Sequence, residues 1–582
     1  MKHRWRLDDI LHGQPWEEEA ARLRTLMTRY GTLRLDPAMD APAFKAILAL
    51  EEEALELMHR LDTYSLLWHE ADHSSQQAES LVSKAQTLDI QLEEARRPAE
   101  HWLVGKGEGS LDDANAARLI AAAPAYRDTL QHLRSQARHL LSQPEERVVD
   151  INEGTLGTAL EHVHGRLETN ITFLIRDAPG KRRRRVTYGD AISVATRHAD
   201  PALRRAAYAT ILEQYAAEAE IRFDVYRGVV KAWDEMAALR GYPSPLSARN
   251  AMNVMDDATT DAMLAAVRRN ADIFQEFFRW KAEALGMDRL GREDIYAPVQ
   301  GKEITRPFDE ALALVLDAFG RFSPTMRTHA EAIVRNEHLD SHPRTHKSQG
   351  GFCTIAGTGT APYVLMNYVD DFESMNTLAH ELGHSVQFLY AAELPFSLQH
   401  PSTPMCELGS TFGEMLFFDS LLAQLPPAEG KALLISKIGQ SYATIPRQAY
   451  FTLFERDAHR MISAGATLDD VSDRYLELLR ELHGDAVHVP DHFRHEWLVV
   501  PHFVASPFYC LAYAVAEPIA LSCYQRWQEN RDFKAEVEAI FASGGSRNPL
   551  ALLAENGMDM HAPEFWDEGM APLRQMVRRI KE

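Results

Sequence analysis

A chain of 582 residues is too long for one simple hydrophobic core, so the sequence predicts two or more subdomains. Its hydrophobic content of 45% and charged content of 25% are ordinary for a soluble globular protein. The formal net charge of -22 argues against nucleic acid or an anionic membrane as the main partner, because both attract clustered positive charge.

Cysteine usage and the hydropathy pattern indicate an intracellular protein. The four cysteines include no CxxC pair, and four are too few for a disulfide framework in so long a chain: Cys353, Cys406, Cys510 and Cys523. The N-terminal residues contain no apolar stretch of signal-peptide length. No uncharged apolar run approaches the roughly 18 residues of a membrane span. The sequence therefore predicts a cytoplasmic location.

The first third of the chain carries helical periodicity. Ile47, Leu50, Ala54, Leu57 and Leu61 recur at spacings of three and four, which marks one face of an amphipathic helix. Similar patterns occupy residues 15–30, 75–98 and 111–142. We expect solvent-exposed helices packed as a bundle.

Residues 169–190, TNITFLIRDAPGKRRRRVTYGD, have a sequence pattern that differs from the helical segments before them. Two β-prone runs flank a Pro-Gly turn signal, which predicts a hairpin. The basic run from Lys181 to Arg185 is interpreted as a solvated strand, since the chain as a whole is acidic. The hairpin closes a predicted N-terminal helical domain over residues 1–195. A catalytic domain, helical again from about 200 to 335, is predicted over 196–582.

Residues 349–368, QGGFCTIAGTGTAPYVLMNY, predict a small sheet. Two short β-prone runs, Phe352 to Ile355 and Tyr363 to Met366, surround a Gly/Thr turn. The GTGT segment lacks the GK[ST] ending of a phosphate-binding loop, so nucleotide binding is rejected. The sheet directly precedes the segment that carries the strongest chemical signal.

That segment is LAHELGHSVQF, residues 378–388. On a helix, His380 and His384 lie one turn apart on one face and can hold a single ion, with Glu381 beside them. This is the arrangement of zinc metallopeptidases, and Asp371 can cap the helix. By chance HExxH would occur roughly 0.1 times in such a chain, so a third ligand is needed.

The segment STPMCELGSTFGEMLFF, residues 402–418, offers that ligand. Thr403 reads as an N-cap with Pro404 at the first helical position, and Glu407 follows one turn into the helix. An antiparallel helix would bring Glu407 to the metal, completing a standard catalytic zinc set. Glu414, two turns further on the same face, would orient a ligand histidine.

A third segment, PHFVASPFYCLAYAVAEPIAL over residues 501–521, holds His502, Tyr509 and Tyr513 in an apolar stretch. Their imidazole and phenol groups could donate to the oxyanion of peptide hydrolysis, and the two tyrosines are expected on one helical face. The alternative, tyrosines packed in a core with a satisfied hydroxyl, remains open.

The order of these segments resembles a known family. GGFC, APYVLMNY, TLAHELGHS, CELGSTFGEML and PHFVASPFYCLAYA together look like the M3 family of zinc metallopeptidases, specifically its oligoendopeptidase F branch. RWRLDDI near the start and FASGGSRNPLALLAENGMDMHAPEFW near the end are similar to the same branch. The resemblance implies one zinc ion bound by His380, His384 and Glu407, with Glu381 as the general base.

It also implies that His502 and Tyr513, with Tyr509, stabilise the oxyanion. One departure is visible, because family members often carry a tyrosine where this sequence has Val504 and another near Leu511. The number of contributing tyrosines is therefore open.

For the fold, the resemblance implies a mainly α, elongated protein with a small β-sheet beside the zinc-binding helices and a deep substrate channel. The channel would admit short or unfolded peptides, and the strand of Gly351, Phe352 and Cys353 would pair with the substrate backbone.

The predicted function is a zinc metalloendopeptidase with oligopeptide substrates. A zinc exopeptidase and a non-catalytic peptide-binding protein are the alternatives. Mn²⁺ or Co²⁺ could occupy the same ligands. Cleavage preference and oligomeric state are left open.

Overall fold

The computed structural model describes residues 4–107, 109–152, 157–176, 178, 180–299 and 304–582. Within these ranges the protein is mainly α-helical, with three small β-sheets. The predicted fold class is confirmed in its helical content and its small sheet. Among the described helices, none has both the length and the apolar composition that a membrane span requires.

Seven helices come before the hairpin, in agreement with the helical periodicity of the first third. They are α1 (Trp16–Tyr30), α2 (Ala41–Ala71), α3 (Gln76–Val104), α4 (Asp113–Ala122), α5 (Arg127–Ser135), α6 (Gln143–Asn152) and α7 (Thr158–Asn170).

Helices α1, α2 and α3 pack around one hydrophobic cluster. Leu50, Ala54, Leu57 and Leu61 of the predicted stripe are buried, and Ile47 is partly buried. Removing these side chains from water provides the main stabilisation of the bundle.

The predicted hairpin is present. Strands β1 (Phe173–Ile175) and β2 (Arg184–Val186) pair antiparallel, with Phe173 opposite Val186. Lys181 to Arg185 are all exposed, which agrees with a solvated strand. The turn residues Asp177 and Pro179 lie outside the described residues.

Helices resume after the hairpin, as the sequence predicts. They are α8 (Tyr188–Arg197), α9 (Pro201–Ala217), α10 (Ala219–Leu239), α11 (Pro245–Met252), α12 (Asp257–Arg269), α13 (Ala271–Ala284), α14 (Phe308–Phe322) and α15 (Pro324–Arg335). The two-residue strand β3 (Leu290–Gly291) follows α13.

The sheet predicted before the HELGH helix has three strands, β4 (Leu339–Asp340), β5 (Phe352–Thr354) and β6 (Tyr363–Leu365). Their order is β4-β6-β5, with β6 parallel to β4 and antiparallel to β5. The central strand β6 is fully buried, as expected for β-prone residues covered on both faces.

The remaining chain is again mostly helical. The helices are α16 (Phe372–Tyr390), α17 (Thr403–Leu422), α18 (Pro427–Thr444), α19 (Pro446–Ser463), α20 (Leu468–His483), α21 (His502–Ala505), α22 (Cys510–Glu529), α23 (Lys534–Ala542), α24 (Pro549–Glu555) and α25 (Pro563–Lys581). Strand β7 (Val487–His488) pairs in parallel with β3. Because α17 begins at Thr403, its N-cap is Ser402, one residue earlier than predicted, and Pro404 still lies in the first turn.

The chain divides into two compact units, each built from three stretches. Unit 1 comprises Met1–Leu140, Glu303–Leu425 and Ala520–Asp559. Unit 2 comprises Leu141–Lys302, Pro426–Ile519 and Met560–Glu582. The domain boundary predicted at residue 195 divides the chain at the hairpin along the sequence and not into compact units. It stays a prediction.

Candidate metal centre and active site

Helix α16 carries the HELGH motif in unit 1. The carboxylate of Asp371 accepts a hydrogen bond from the backbone N–H of Ser374 at 2.8 Å, so the predicted N-cap is present. The apolar face of the helix forms a buried stripe: Met375, Leu378, Leu382 and Val386. This buried stripe fixes the rotation of the helix and therefore the direction of its ligand side chains.

Helices α16 and α17 run antiparallel and meet at glycines. A Cβ on Gly383 would lie 2.4 Å from the carbonyl oxygen of Gly409 and 2.7 Å from Cα of Ser410. A Cβ on Gly413 would lie 3.0 Å from the carbonyl oxygen of Ala379. Because these neighbours are backbone atoms, only glycine permits the two helices to approach this closely.

Gly383→Ala is therefore expected to push α16 and α17 apart. The added methyl group should lower the free energy of unfolding by about 1–3 kcal/mol, as overpacking does in other cores, and weaken metal binding. Denaturant unfolding and the zinc content per chain measure both effects.

Gly439→Ala in α18 is the matched control, since nothing lies within 4 Å of its would-be Cβ. That variant should be as stable as the parent or more so, because alanine favours a helix by about 1 kcal/mol over glycine. Wild-type stability and zinc affinity in Gly383→Ala would contradict the close-packing argument.

The structure brings the three predicted metal ligands together. Nε2 of His380 and Nε2 of His384 each lie 3.5 Å from Oε2 of Glu407. A tetrahedral zinc ion with bonds of about 2.0–2.2 Å separates its ligand atoms by roughly 3.3–3.6 Å. The two imidazole rings are nearly perpendicular, at 86°, with centroids 4.8 Å apart. The donor set and its spacing fit zinc.

The other imidazole nitrogens are engaged by neighbouring groups. Nδ1 of His380 donates to Oε1 of Glu414 at 2.6 Å, the position predicted for a ligand-orienting carboxylate. Nδ1 of His384 donates to the carbonyl oxygen of Cys406 at 3.1 Å. Both Nε2 atoms are then left with a lone pair for a cation.

Ser410 is a contributor that the sequence did not single out as functional. Its Oγ donates to Oε2 of Glu407 at 2.9 Å and so orients that carboxylate. Gln387 also connects the two helices, because its side chain donates to the carbonyl oxygen of Met405 at 2.8 Å and accepts the N–H of Gly409 at 2.9 Å. A small or polar residue one turn from a proposed ligand is too common a signal to identify such partners.

The charges of the centre favour a bound cation. Burial lowers the pKa of His380, but its hydrogen bond to Glu414 and the charges of Glu381, Glu414 and Glu407 outweigh this and raise it to about 9. Burial and the neighbouring His380 lower the pKa of His384 to about 3. The carboxylates therefore favour one positive charge on the pair of imidazole rings. That first charge disfavours a second one on the neighbouring ring.

Glu381 lies beside this centre and is buried. Burial raises the pKa of its carboxyl group to about 7, with His380 opposing the shift and Glu407 and Glu414 adding to it. Among the described residues, no group forms a hydrogen bond with its Oε2. A Cβ on Gly351 would lie 3.1 Å from its Oε1. A carboxylate with a pKa near 7 can both accept and return a proton at neutral pH.

The first residue of the predicted substrate-binding strand, Gly351, lies beside the carboxylate of Glu381. Strand β5 is the terminal strand of its sheet and pairs on one side with β6; within the described part of the chain no strand pairs with its other side. Gly351 is exposed, and Phe352 and Cys353 are partly exposed. Sγ of Cys353 lies 3.2 Å from Oγ of Ser385, which tethers β5 to α16.

The structure also brings together the three predicted oxyanion donors, which belong to unit 2. The ring of His502 lies 5.9 Å from that of Tyr509 and 6.0 Å from that of Tyr513, and the two tyrosine rings are 5.4 Å apart. Tyr509 immediately precedes α22, which begins at Cys510, and its ring still lies beside that of Tyr513 on the helix. Val504 and Leu511, which mark the positions at or near which family members often carry tyrosines, are buried.

Two buried side chains hold the turn between α21 and α22. Glu455 accepts the backbone N–H of Phe508 at 2.7 Å, and Phe508 has a left-handed φ of +60°. Arg249 donates to the carbonyl oxygen of Pro507 and to Oγ of Ser506, both at 2.9 Å. The positions of His502 and Tyr509 therefore depend on partners that lie 53 to 258 residues away in sequence.

Comparison with known proteins identifies the family of the chain. The sequence model of peptidase family M3 matches residues 194–572. Oligopeptidase PepF of Bacillus subtilis is 22% identical over 99% of this chain and 88% of its own length. An oligoendopeptidase F homolog of Borreliella burgdorferi is 23% identical over 89% of this chain and 87% of its own length.

Solved structures show the same fold. A Chlamydophila abortus protein, solved as a candidate peptidase, superposes with a TM-score of 0.86 at 21% identity, covering 99% of this chain and 97% of its own. Oligoendopeptidase-F from Enterococcus faecium gives a TM-score of 0.72 at 18% identity, covering 97% and 98%.

Fold and site together define a metallopeptidase. The family match extends over well more than half of the chain, and the chain belongs to peptidase family M3. It is a peptide-hydrolysing enzyme, and the resemblance to the oligoendopeptidase F branch is confirmed.

Proposed function

We propose that this protein is a zinc metalloendopeptidase that hydrolyses internal bonds of short or unfolded oligopeptides. The observation that carries the proposal is the convergence of His380 and His384 Nε2 on one oxygen of Glu407, with the buried Glu381 beside them. The relatives named oligoendopeptidase support internal cleavage.

His380, His384 and Glu407 would hold the ion, with Glu414 positioning His380 and Ser410 positioning Glu407. When bound, zinc supplies Lewis-acid polarisation of the scissile carbonyl and a lowered pKa for its water. Mn²⁺ or Co²⁺ could replace zinc on this donor set.

Glu381 acts as the general base. Its carboxylate removes a proton from the attacking water and then delivers that proton to the leaving amine nitrogen, so no covalent intermediate forms. Oε2 is available for this role because no described residue bonds to it.

His502 and Tyr513, with Tyr509, would donate hydrogen bonds to the developing oxyanion. Burial, with a smaller contribution from the charge of Arg447, lowers the pKa of His502, so the ring is neutral at pH 7 and donates through one N–H. The clustering of the three rings supports a shared role.

Tyr513→Phe should lower kcat by roughly 10²–10³, about 2.7–4 kcal/mol, because the hydroxyl acts mainly in the transition state. KM and the thermal midpoint should change little. Steady-state kinetics and thermal unfolding measure these quantities, with Tyr509→Phe as the companion variant. A lower melting temperature with only a modest loss of rate would instead indicate a core tyrosine.

Substrate would bind by adding a strand to the unpaired side of β5, at Gly351, Phe352 and Cys353. This places a bound peptide beside Glu381, whose Oε1 adjoins Gly351. The substrate channel and the cytoplasmic location stay predictions.

An internally quenched fluorogenic peptide with both termini blocked tests the function. We expect cleavage at an internal bond, loss of activity with a chelator and recovery with Zn²⁺. Cleavage only of peptides with a free terminus would favour the exopeptidase alternative. Peptide binding without hydrolysis would favour the non-catalytic one, and full activity in chelator would remove the metal from the mechanism.

A further inference from the structure

A second group of metal-ligating side chains lies at the end of α2 in unit 1. One donor atom from each of His69, Glu70 and His73 lies within 4.8 Å of the others. His69 and Glu70 are half-buried and His73 is exposed. None of the three takes part in the proposed mechanism.

The two rings of this group are arranged like those of the active site. Nδ1 of His73 lies 3.4 Å from Nε2 of His69, which matches the roughly 3.3–3.4 Å between two imidazole nitrogens on a tetrahedral zinc ion. The ring centroids are 4.5 Å apart at 80°, compared with 4.8 Å and 86° for His380 and His384.

Neighbouring groups fix the ring and backbone of His73 in place. Nε2 of His73 forms a hydrogen bond with Oγ of Ser348 at 3.0 Å, which orients the ring as outer partners of metal ligands do. The backbone N–H of His73 donates to the carbonyl oxygen of His346 at 2.8 Å, and that of Ser348 donates to the carbonyl oxygen of Glu70 at 2.9 Å. His73 therefore depends on a segment about 270 residues further along the chain.

We propose that His69, Glu70 and His73 form a second site for a divalent transition-metal ion, Zn²⁺ in the first instance. Two imidazoles and one carboxylate select zinc, nickel or copper over Mg²⁺ and Ca²⁺, which prefer oxygen ligands. Because His73 is exposed, water would fill the remaining coordination positions of the ion. The ion would therefore exchange more readily than the ion of the active site.

Occupancy of this site would fasten α2 to the segment that leads into β5. Asn367 already donates from its side-chain amide to the carbonyl oxygens of Ser348 and Gly350, both at 2.9 Å. An ion would hold the ring of His73 to His69 and Glu70 at the end of α2, and His73 bonds Ser348 through its other nitrogen. The site stabilises unit 1 and takes no part in peptide hydrolysis.

Zinc stoichiometry tests the proposal. At saturating zinc, we expect two ions per chain in the parent protein, one in His380→Ala/His384→Ala, one in His69→Ala/His73→Ala and none in the combined variant. Isothermal titration with Zn²⁺ and Ni²⁺, followed by elemental analysis, gives the counts. An unchanged count in His69→Ala/His73→Ala would overturn the second site while leaving the peptidase proposal intact.

Two further measurements keep the result independent of folding. In the His380→Ala/His384→Ala background, zinc should raise the thermal midpoint, and adding His69→Ala should remove that rise. Ser348→Ala should retain the second ion with about tenfold weaker affinity, since it removes only an outer partner.

His492→Ala, which changes an exposed histidine of unit 2, should still bind two ions. Equal binding of Mg²⁺ at the second site, or an unchanged affinity in Ser348→Ala, would overturn the assignment to His69 and His73. Peptide hydrolysis by His69→Ala should equal that of the parent.

Discussion

Glu381→Gln is expected to abolish nearly all peptide hydrolysis while the protein still binds its active-site zinc. Glutamine has the shape of glutamate and can form hydrogen bonds, but it cannot accept the proton of the attacking water. General acid–base groups contribute about 10²–10⁴ to rates, so kcat should fall by at least this factor. Single-turnover kinetics and elemental analysis measure rate and metal in one preparation.

Glu373→Gln is the matched control, because Glu373 is an exposed glutamate in the first turn of the same helix. It should retain the parent rate. Stability should not fall in Glu381→Gln, since the change removes a buried carboxylate whose Oε2 has no partner among the described residues. A near-normal rate in Glu381→Gln would show that another group is the base.

His380→Ala and His384→Ala are each expected to remove the tightly bound zinc and the activity. Each variant deletes one of three ligands, and two remaining ligands cannot hold the ion against dilution. His384→Ala also removes the hydrogen bond that Nδ1 of His384 donates to the carbonyl oxygen of Cys406. Dialysis against buffer of low free zinc, then metal analysis and a peptide assay, tests both.

Glu407→Ala should behave in the same way, because its Oε2 is the atom on which both imidazoles converge. His492→Ala serves as the control and should keep both metal and rate. Full metal content in both histidine variants would contradict the assignment of the site.

The local elements of the site follow from short-range sequence patterns. The apolar stripe and the Asp371 cap specify α16, and a helix places His380 and His384 on one face wherever it lies in the fold. Alternation and turn chemistry specify the β1–β2 hairpin in the same way. These features are set by neighbours in sequence, so local periodicity is sufficient to predict them.

How these elements meet depends on tertiary packing. That Glu407 comes within 3.5 Å of both imidazoles depends on backbone contact at Gly383 and Gly409, and no local pattern specifies this distance. The left-handed φ of Phe508 comes just before the start of α22 at Cys510, so Tyr509 lies at the entrance of the helix that carries Tyr513.

The free side of β5 and the approach of Ser348 to His73 are likewise products of packing. Ser348 and His73 are separated by 275 residues. A contact across that separation is fixed by the packing of whole elements, which the sequence specifies only through the complete fold.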